Sequence, residues 1–262
     1  MSGTKDVVGI YQKALTLLCG IPDLRLGLQM VEIYQDQIVD LLHDREKVRV
    51  RLNGLSAQVE RIETISRGEA LLDLGLRQRR NASTKMNENS SRSHLIVQFV
   101  VGSVQRPCTL LLVDLAGSER VEKAQVTGER LKEAQSINRS LSALSNVMMA
   151  LQSQQSHIPY RNSKLTQVLQ PALTKDSIVM MLVHVHPGKT HAKETLCTLH
   201  LGARVRSIPT TPEQQHAREA YQKLEQKVSA LVTAVAASKT KLQTEKQQTE
   251  KLRKELTALE NY

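Results

Sequence analysis

Asn87-Glu-Asn-Ser-Ser-Arg-Ser-His94 and, one strand later, Leu110-Leu-Leu-Val-Asp-Leu-Ala-Gly-Ser-Glu119 decide the reading of this chain. In the second stretch the apolar run Leu110 to Val113 reads as a buried strand that ends on Asp114, with Gly117 three residues on. An aspartate at the carboxyl edge of a parallel strand can hold Mg²⁺ through water, and a glycine, lacking Cβ, lets a backbone N–H approach a terminal phosphate. The first stretch sets three hydroxyls and an arginine ahead of another strand, His94 to Val101, so its loop belongs at the same edge of the sheet. Ser90 and Ser91 could there reach phosphate and metal, and Arg92 and Glu119 form an opposite-charge pair able to latch the two loops together. A D-x-x-G alone is a weak signal; the two stretches in this order are a strong one.

Four segments together carry a family resemblance. Asn87-x-x-Ser-Ser-Arg-Ser-His94, Asp114-Leu-Ala-Gly-Ser-Glu119, Ser136-Ile-Asn-Arg-Ser-Leu-Ser-Ala-Leu144 and His157-Ile-Pro-Tyr-Arg-Asn-Ser-Lys-Leu-Thr166 resemble the switch I, switch II, relay-helix and microtubule-contact signatures of kinesin motor domains. The resemblance covers roughly residues 5 to 208, and its wording, especially Arg130 to Asn138, is nearest to the C-terminal-motor kinesin-14 group. It implies an α/β fold of the P-loop NTPase type, a central mixed sheet flanked by helices, with ATP and Mg²⁺ as ligands. In that pattern Ser90 contacts the γ-phosphate, Ser91 and Asp114 serve the metal shell and Gly117 senses the γ-phosphate. The Arg92–Glu119 latch closes around the attacking water, which Asn138 orients. Lys123, Arg130, Lys132, Arg139, His157, Arg161 and Lys164 match positions that face the acidic tubulin surface.

One departure stands out: G-x-x-x-x-G-K-[ST] occurs nowhere in the 262 residues. That loop holds the α- and β-phosphates with successive backbone N–H groups and one ammonium. The resemblance therefore implies a motor domain truncated at its N-terminus, without the strand that leads into the loop. That strand is central to the family's sheet, so its neighbours are expected to expose apolar area. The hydrolysing motor and a non-hydrolysing, microtubule-binding or dimerising subunit both remain open. A GTPase of another family is disfavoured, because no guanine-reading N-K-x-D is present.

The net charge of +10 suits an acidic partner, whether nucleic acid, anionic membrane or protein filament. With no Trp and one Phe, the chain lacks the stacking platforms of single-strand nucleic-acid binders, which favours a protein. Cys19, Cys108 and Cys197 are scattered and each set in an apolar stretch, so they read as buried, reduced thiols. No apolar run approaches the roughly 20 residues that span a bilayer and no signal-peptide core opens the chain, which places it in the cytoplasm and, by resemblance, on the cytoskeleton.

Helical spacing predicts helices over residues 5 to 18, 66 to 77 (with Ala70, Leu71 and Leu74 on one face), 131 to 152 and 194 to 206, and a further helix after Pro159. Strands are expected at Leu26 to Tyr34, 48 to 52, 59 to 62 and Ile178 to Val185. The cluster Arg77-Gln-Arg-Arg80 reads as a solvated helix end, and His184, His186, His191 and His200 as strand-end and surface histidines rather than a zinc site. Ile208-Pro-Thr-Thr-Pro212 opens a linker over 209 to 220. Beyond it, Tyr221, Val228, Val235, Leu242, Thr249 and Leu256 recur every seven residues, as do Leu224, Leu231, Ser238, Glu245, Leu252 and Leu259. That heptad seam predicts a coiled coil over 221 to 262 that pairs with a second copy.

Overall fold

A computed structural model of the chain describes residues 1, 3, 7–51, 54–85, 92–102, 108–117, 129–174, 177–186, 188–209 and scattered positions between 222 and 243, with only the backbone described at 51, 54, 82–85, 129–132 and 189. The chain divides into two units, Met1–Pro209 and Thr210–Tyr262.

In the first unit the elements follow in the order α1 (Ile10–Cys19), β1 (Leu26–Tyr34), β2 (Gln37–Asp40), β3 (Val50–Arg51), β4 (Gly54–Leu55), β5 (Glu60–Ile62), α2 (Ile65–Lys85), β6 (His94–Val101), β7 (Cys108–Asp114), α3 (Glu129–Gln152), α4 (Lys164–Leu169) and α5 (Ala192–Arg206). The main sheet runs β2-β1-β6-β7, with β5 also paired to β1, and β3-β4 form a small separate ribbon. Every pairing described is antiparallel. This corrects the expectation of a parallel strand ending on Asp114. The antiparallel register sets Leu95 opposite Asp114, and that is what brings the start of β6 and the end of β7 to one edge.

Alternation along β1 and β6 splits the core in two, because successive side chains leave a strand on opposite faces. Leu26, Leu28, Met30, Leu95, Val97 and Phe99 pack with Tyr11 and Leu15 of α1 and Leu71 and Leu72 of α2. On the other face Val31, Ile33 and Ile96 pack with Leu144, Val147 and Met148 of α3, Leu165 and Val168 of α4, and Val205 of α5. Each such side chain, fully buried, contributes about 1.5–3 kcal/mol.

Four expectations are revised. The buried stripe of α2 is Gly68, Leu71, Leu72, Gly75 and Arg79, while Ala70 and Leu74 face outward. Ile178–Val185 belongs to no strand, and Ile178, Met180 and Leu182 are 68%, 60% and 52% exposed. All three cysteines are exposed. Leu110 to Val113, expected as a buried strand, is only partly covered, because β7 has no second neighbour among the described residues, and Leu110 is exposed.

Of the second unit, the described positions between 222 and 243 are helical, and the seam residues Leu224 and Val228 are exposed on the single chain. No described helix is long and apolar enough to cross a membrane.

Candidate functional site

The edge where β6 begins and β7 ends gathers charge on one face of the sheet and a histidine on the other. Parity explains the split. Glu32, Leu95 and Asp114 share the face covered by α2, and there Arg79 reaches across from the buried stripe of that helix. Its Nη1 donates to Asp114 Oδ2 at 2.9 Å and its Nη2 to the Ser93 carbonyl at 3.1 Å. Glu32, itself buried, accepts from Ser93 Oγ at 2.6 Å and lies 2.8 Å from Arg45 Nη1 and 3.9 Å from Arg79 Nε. Buried charges persist only when paired, and here two arginines stand against two carboxylates, one of them the half-exposed Asp114, with Arg45 Nη1 making its ion pair without a hydrogen bond.

Arg79 is the residue that sequence reading missed. Placed with a solvated cluster, it is only 8% exposed, and it holds the aspartate assigned to the metal shell. The signal was present in its spacing, since it continues the 68, 72, 75 stripe of α2.

His94 has the opposite parity, faces α3 and is buried. Its Nδ1 accepts the Ala116 N–H at 3.0 Å, and its Nε2 lies 2.8 Å from Ser140 Oγ, which in turn donates to the Ile137 carbonyl at 2.8 Å. Burial first, and then the Arg79 cation, push the imidazole pKa down from the ordinary 6.5 to about 4, against an opposing pull from Asp114. The ring is neutral at physiological pH.

Of the expected site residues, the structure brings Arg92, Asp114, Gly117 and Asn138 to this end of the first unit; Ser90, Ser91, Glu119 and Lys123 lie outside the described residues. Arg92 Nη1 donates to Glu133 Oε2 of α3 at 2.7 Å, a second partner that sequence reading missed. The carboxylate is buried, and its other oxygen has no hydrogen-bond partner.

The expected filament side is built by α3 and the turn into α4. Arg139 lies on the outer stripe of α3, with Gln135, Ser142, Asn146 and Met149, and is exposed. His157 and Arg161 are exposed and Lys164 is half-buried. Their turn is fixed by a capping box: Ser163 Oγ accepts from the Thr166 N–H at 3.1 Å, and Thr166 Oγ1 accepts from the Ser163 N–H at 3.2 Å. Thr166 Oγ1 also donates to the Tyr160 carbonyl at 2.7 Å. Arg130 and Lys132 stand in the first turn of α3, where only the backbone is described. No group of three or more His, Cys, Asp or Glu able to hold a metal occurs among the described residues. His186 Nδ1 accepts from the Gly188 N–H, and His191 pairs with Glu194.

A family model for the kinesin motor domain matches residues 1–208. The chain belongs to the kinesin motor-domain family. It is similar to Kinesin-like protein KIN-14F of Arabidopsis thaliana, 43% identical over 229 residues that cover 78% of this chain and 21% of that protein. A second relative is KIN-14K of Oryza sativa subsp. japonica, 42% identical over 231 residues, 79% of this chain and 23% of the relative. The chain thus spans about a fifth of the length of the curated relatives it matches. Among solved structures, a fast kinesin superposes with a TM-score of 0.67 at 32% identity, covering 79% of this chain and 64% of that one. The C-terminal motor and motor homology domain of Kar3Vik1, fused to a synthetic heterodimeric coiled coil, gives 0.59 at 37%, covering 72% and 52%.

Kinesin motor domains form a nucleotide-binding ATPase family. The half-exposed Asp114 carboxylate and the Gly117 backbone have the chemistry for a metal-bound water and a terminal phosphate. Nothing in the sequence answers to the loop for the remaining phosphates. The residues present do not make a complete ATP site.

Proposed function

We propose that this chain is the microtubule-binding part of a kinesin-14-type motor, in which α3 links the filament to the phosphate-sensing loops. The observation that carries this reading is the division of labour on α3. Ser140 and Glu133 are buried against His94 and Arg92 at the sheet edge, while Arg139, next to Ser140 in sequence, is exposed, as are His157 and Arg161 of the turn into α4. A force on the outer side of such a helix is felt at the inner one. The cytoskeleton is then its place of action, and the heptad seam of the second unit joins it to another copy.

ATP-driven movement is the family's activity, and Ser90, Ser91, Asp114, Gly117, Glu119 and Asn138 are the residues that would serve it. The 262 residues as they stand carry no cradle for the α- and β-phosphates. A second reading is a microtubule-binding subunit that does not hydrolyse ATP. Three lost charge-assisted hydrogen bonds, at about 1.5–3 kcal/mol each, would weaken Mg-ATP binding by at least about three powers of ten.

Co-pelleting with microtubules tests the first statement. Charge reversal at Lys123, Arg161 or Lys164 is expected to weaken binding several-fold at low salt, and less as the screening length shrinks to about 8 Å at physiological ionic strength. Unchanged pelleting, or tighter binding to DNA, would sink the assignment. Calorimetric Mg-ATP titration of the same chain separates the two readings: a micromolar dissociation constant, with turnover abolished by Glu119→Ala, supports the hydrolysing motor.

A further inference from the structure

We propose that His94 is a positioning residue that couples the loop following β7 to helix α3, so that a shift at either end is transmitted through one imidazole. The inference deepens the reading of α3 given above and rests on it only for what moves the helix.

Three hydrogen bonds define the connection, and their directions are fixed by one another. The Ala116 N–H can only donate, so His94 Nδ1 must carry a lone pair. In a neutral ring the proton then sits on Nε2, which donates to Ser140 Oγ, leaving the serine hydroxyl to donate to the Ile137 carbonyl. Each donor along the path from Ala116 to Ile137 has its acceptor on the path. Both ends are one residue from an expected site position, Ala116 before Gly117 and Ile137 before Asn138.

The surroundings keep this arrangement in place. His94, Ala116 and Ser140 are 3%, 5% and 7% exposed, so water cannot replace a lost partner. The charged groups felt by the ring, Arg79 and Asp114, act with opposite sign, and burial decides the neutral form. A residue there only to fill space would be apolar, since an imidazole and a hydroxyl bring a desolvation cost that an aliphatic pair avoids. The gain is geometric. The Nε2–Oγ separation is 2.8 Å, and a slide of α3 by about 1 Å would stretch it beyond hydrogen-bonding range unless the ring and the Ala116 amide followed.

Hydrogen–deuterium exchange on the 262-residue chain, alone and on microtubules, tests the coupling. In the free chain Ser140→Ala removes the acceptor of Nε2 without touching the loop, and exchange of the amides at 115–117 is expected to quicken on the order of tenfold, the equivalent of one lost hydrogen bond. Ser140→Thr, which keeps the hydroxyl, is expected to restore the wild-type rate, and amides in α5 should not respond to either change. Microtubules should alter exchange at 115–117 in wild type and Ser140→Thr, and not in Ser140→Ala. Equal rates at 115–117 in wild type and Ser140→Ala, or the same acceleration in Ser140→Thr, would overturn the proposal. If the chain fails to pellet with microtubules, the functional reading falls while the free-chain comparison still decides the coupling.

Discussion

His94–Val101 and Ile178–Val185 are apolar runs of equal length, free of glycine and proline, and the structure treats them oppositely. The first is β6, with β1 hydrogen-bonded on one side and β7 on the other, and Leu95, Ile96, Val97 and Phe99 completely buried. The second joins no strand among the described residues. It turns Met181 and Val183 partly inward toward α5, where Val183 Cγ2 lies 3.0 Å from the Cβ position of Gly202, and leaves Ile178, Met180 and Leu182 to solvent. Composition is the same in kind; neighbours are not. A run of β-branched and aliphatic residues states that a segment can enter a sheet, and the strand beside it decides whether it does.

The largest expected effect comes from deleting what β6 buries. Phe99 is fully enclosed between α1, α2 and the sheet, so Phe99→Ala should lower the unfolding free energy of the first unit by about 3–5 kcal/mol, read by urea denaturation. A loss below about 1 kcal/mol would mean that β6 is no better packed than the 178–185 segment, and the contrast would be void.

Acid should act next most strongly, and on the same strand. With its pKa lowered from 6.5 to about 4 in the folded chain, His94 takes up a proton more readily when unfolded. Its share of the stability is present in full above pH 6.5 and is lost as the pH falls toward 4. The full interval is worth about 3 kcal/mol at about 1.36 kcal/mol per unit. Denaturation midpoints measured between pH 7 and about pH 4.5 should therefore fall more steeply for wild type than for His94→Gln. Parallel curves would show that the ring is not held neutral by the fold.

What could be read from the chain and what could not separates along the same line. Strands β1 and β6 and helix α3 announce themselves because period and burial agree within each segment, whereas β7 and α5 form where their pattern puts them but stay largely uncovered, with Leu110, Leu196 and Leu199 exposed. The edge holding Asp114 and the start of β6 was also legible, since two motifs one strand apart meet when the strands pair as a hairpin. The partners of the charged residues were not. Arg79 finds Asp114 35 residues away and Arg92 finds Glu133 41 residues away, and which carboxylate each guanidinium meets depends on cross-strand parity and helix rotation. The sequence reading ended this helix at Arg77, whereas α2 runs on to Lys85, and that early end is what left Arg79 in a solvated cluster instead of on the buried stripe. The cysteines failed for the reason that Ile178–Val185 failed: an apolar setting in sequence was taken for a covered one in space.

The smallest expected effect belongs to the segment that β6 is compared with. Leu182 is 52% exposed, so truncating or replacing it removes little area from water that was not already in contact with it. Surface substitutions of this kind usually stay within about 0.5 kcal/mol. Leu182→Thr keeps extended backbone favourable through its branched Cβ, so the substitution isolates burial from strand propensity. Unchanged unfolding of Leu182→Thr beside a heavily destabilised Phe99→Ala would confirm that the two runs differ by their neighbours and not by their residues. A loss of more than about 2 kcal/mol would require Leu182 to be packed in solution, and the 178–185 segment would then have to be a sheet strand with a partner on its open side.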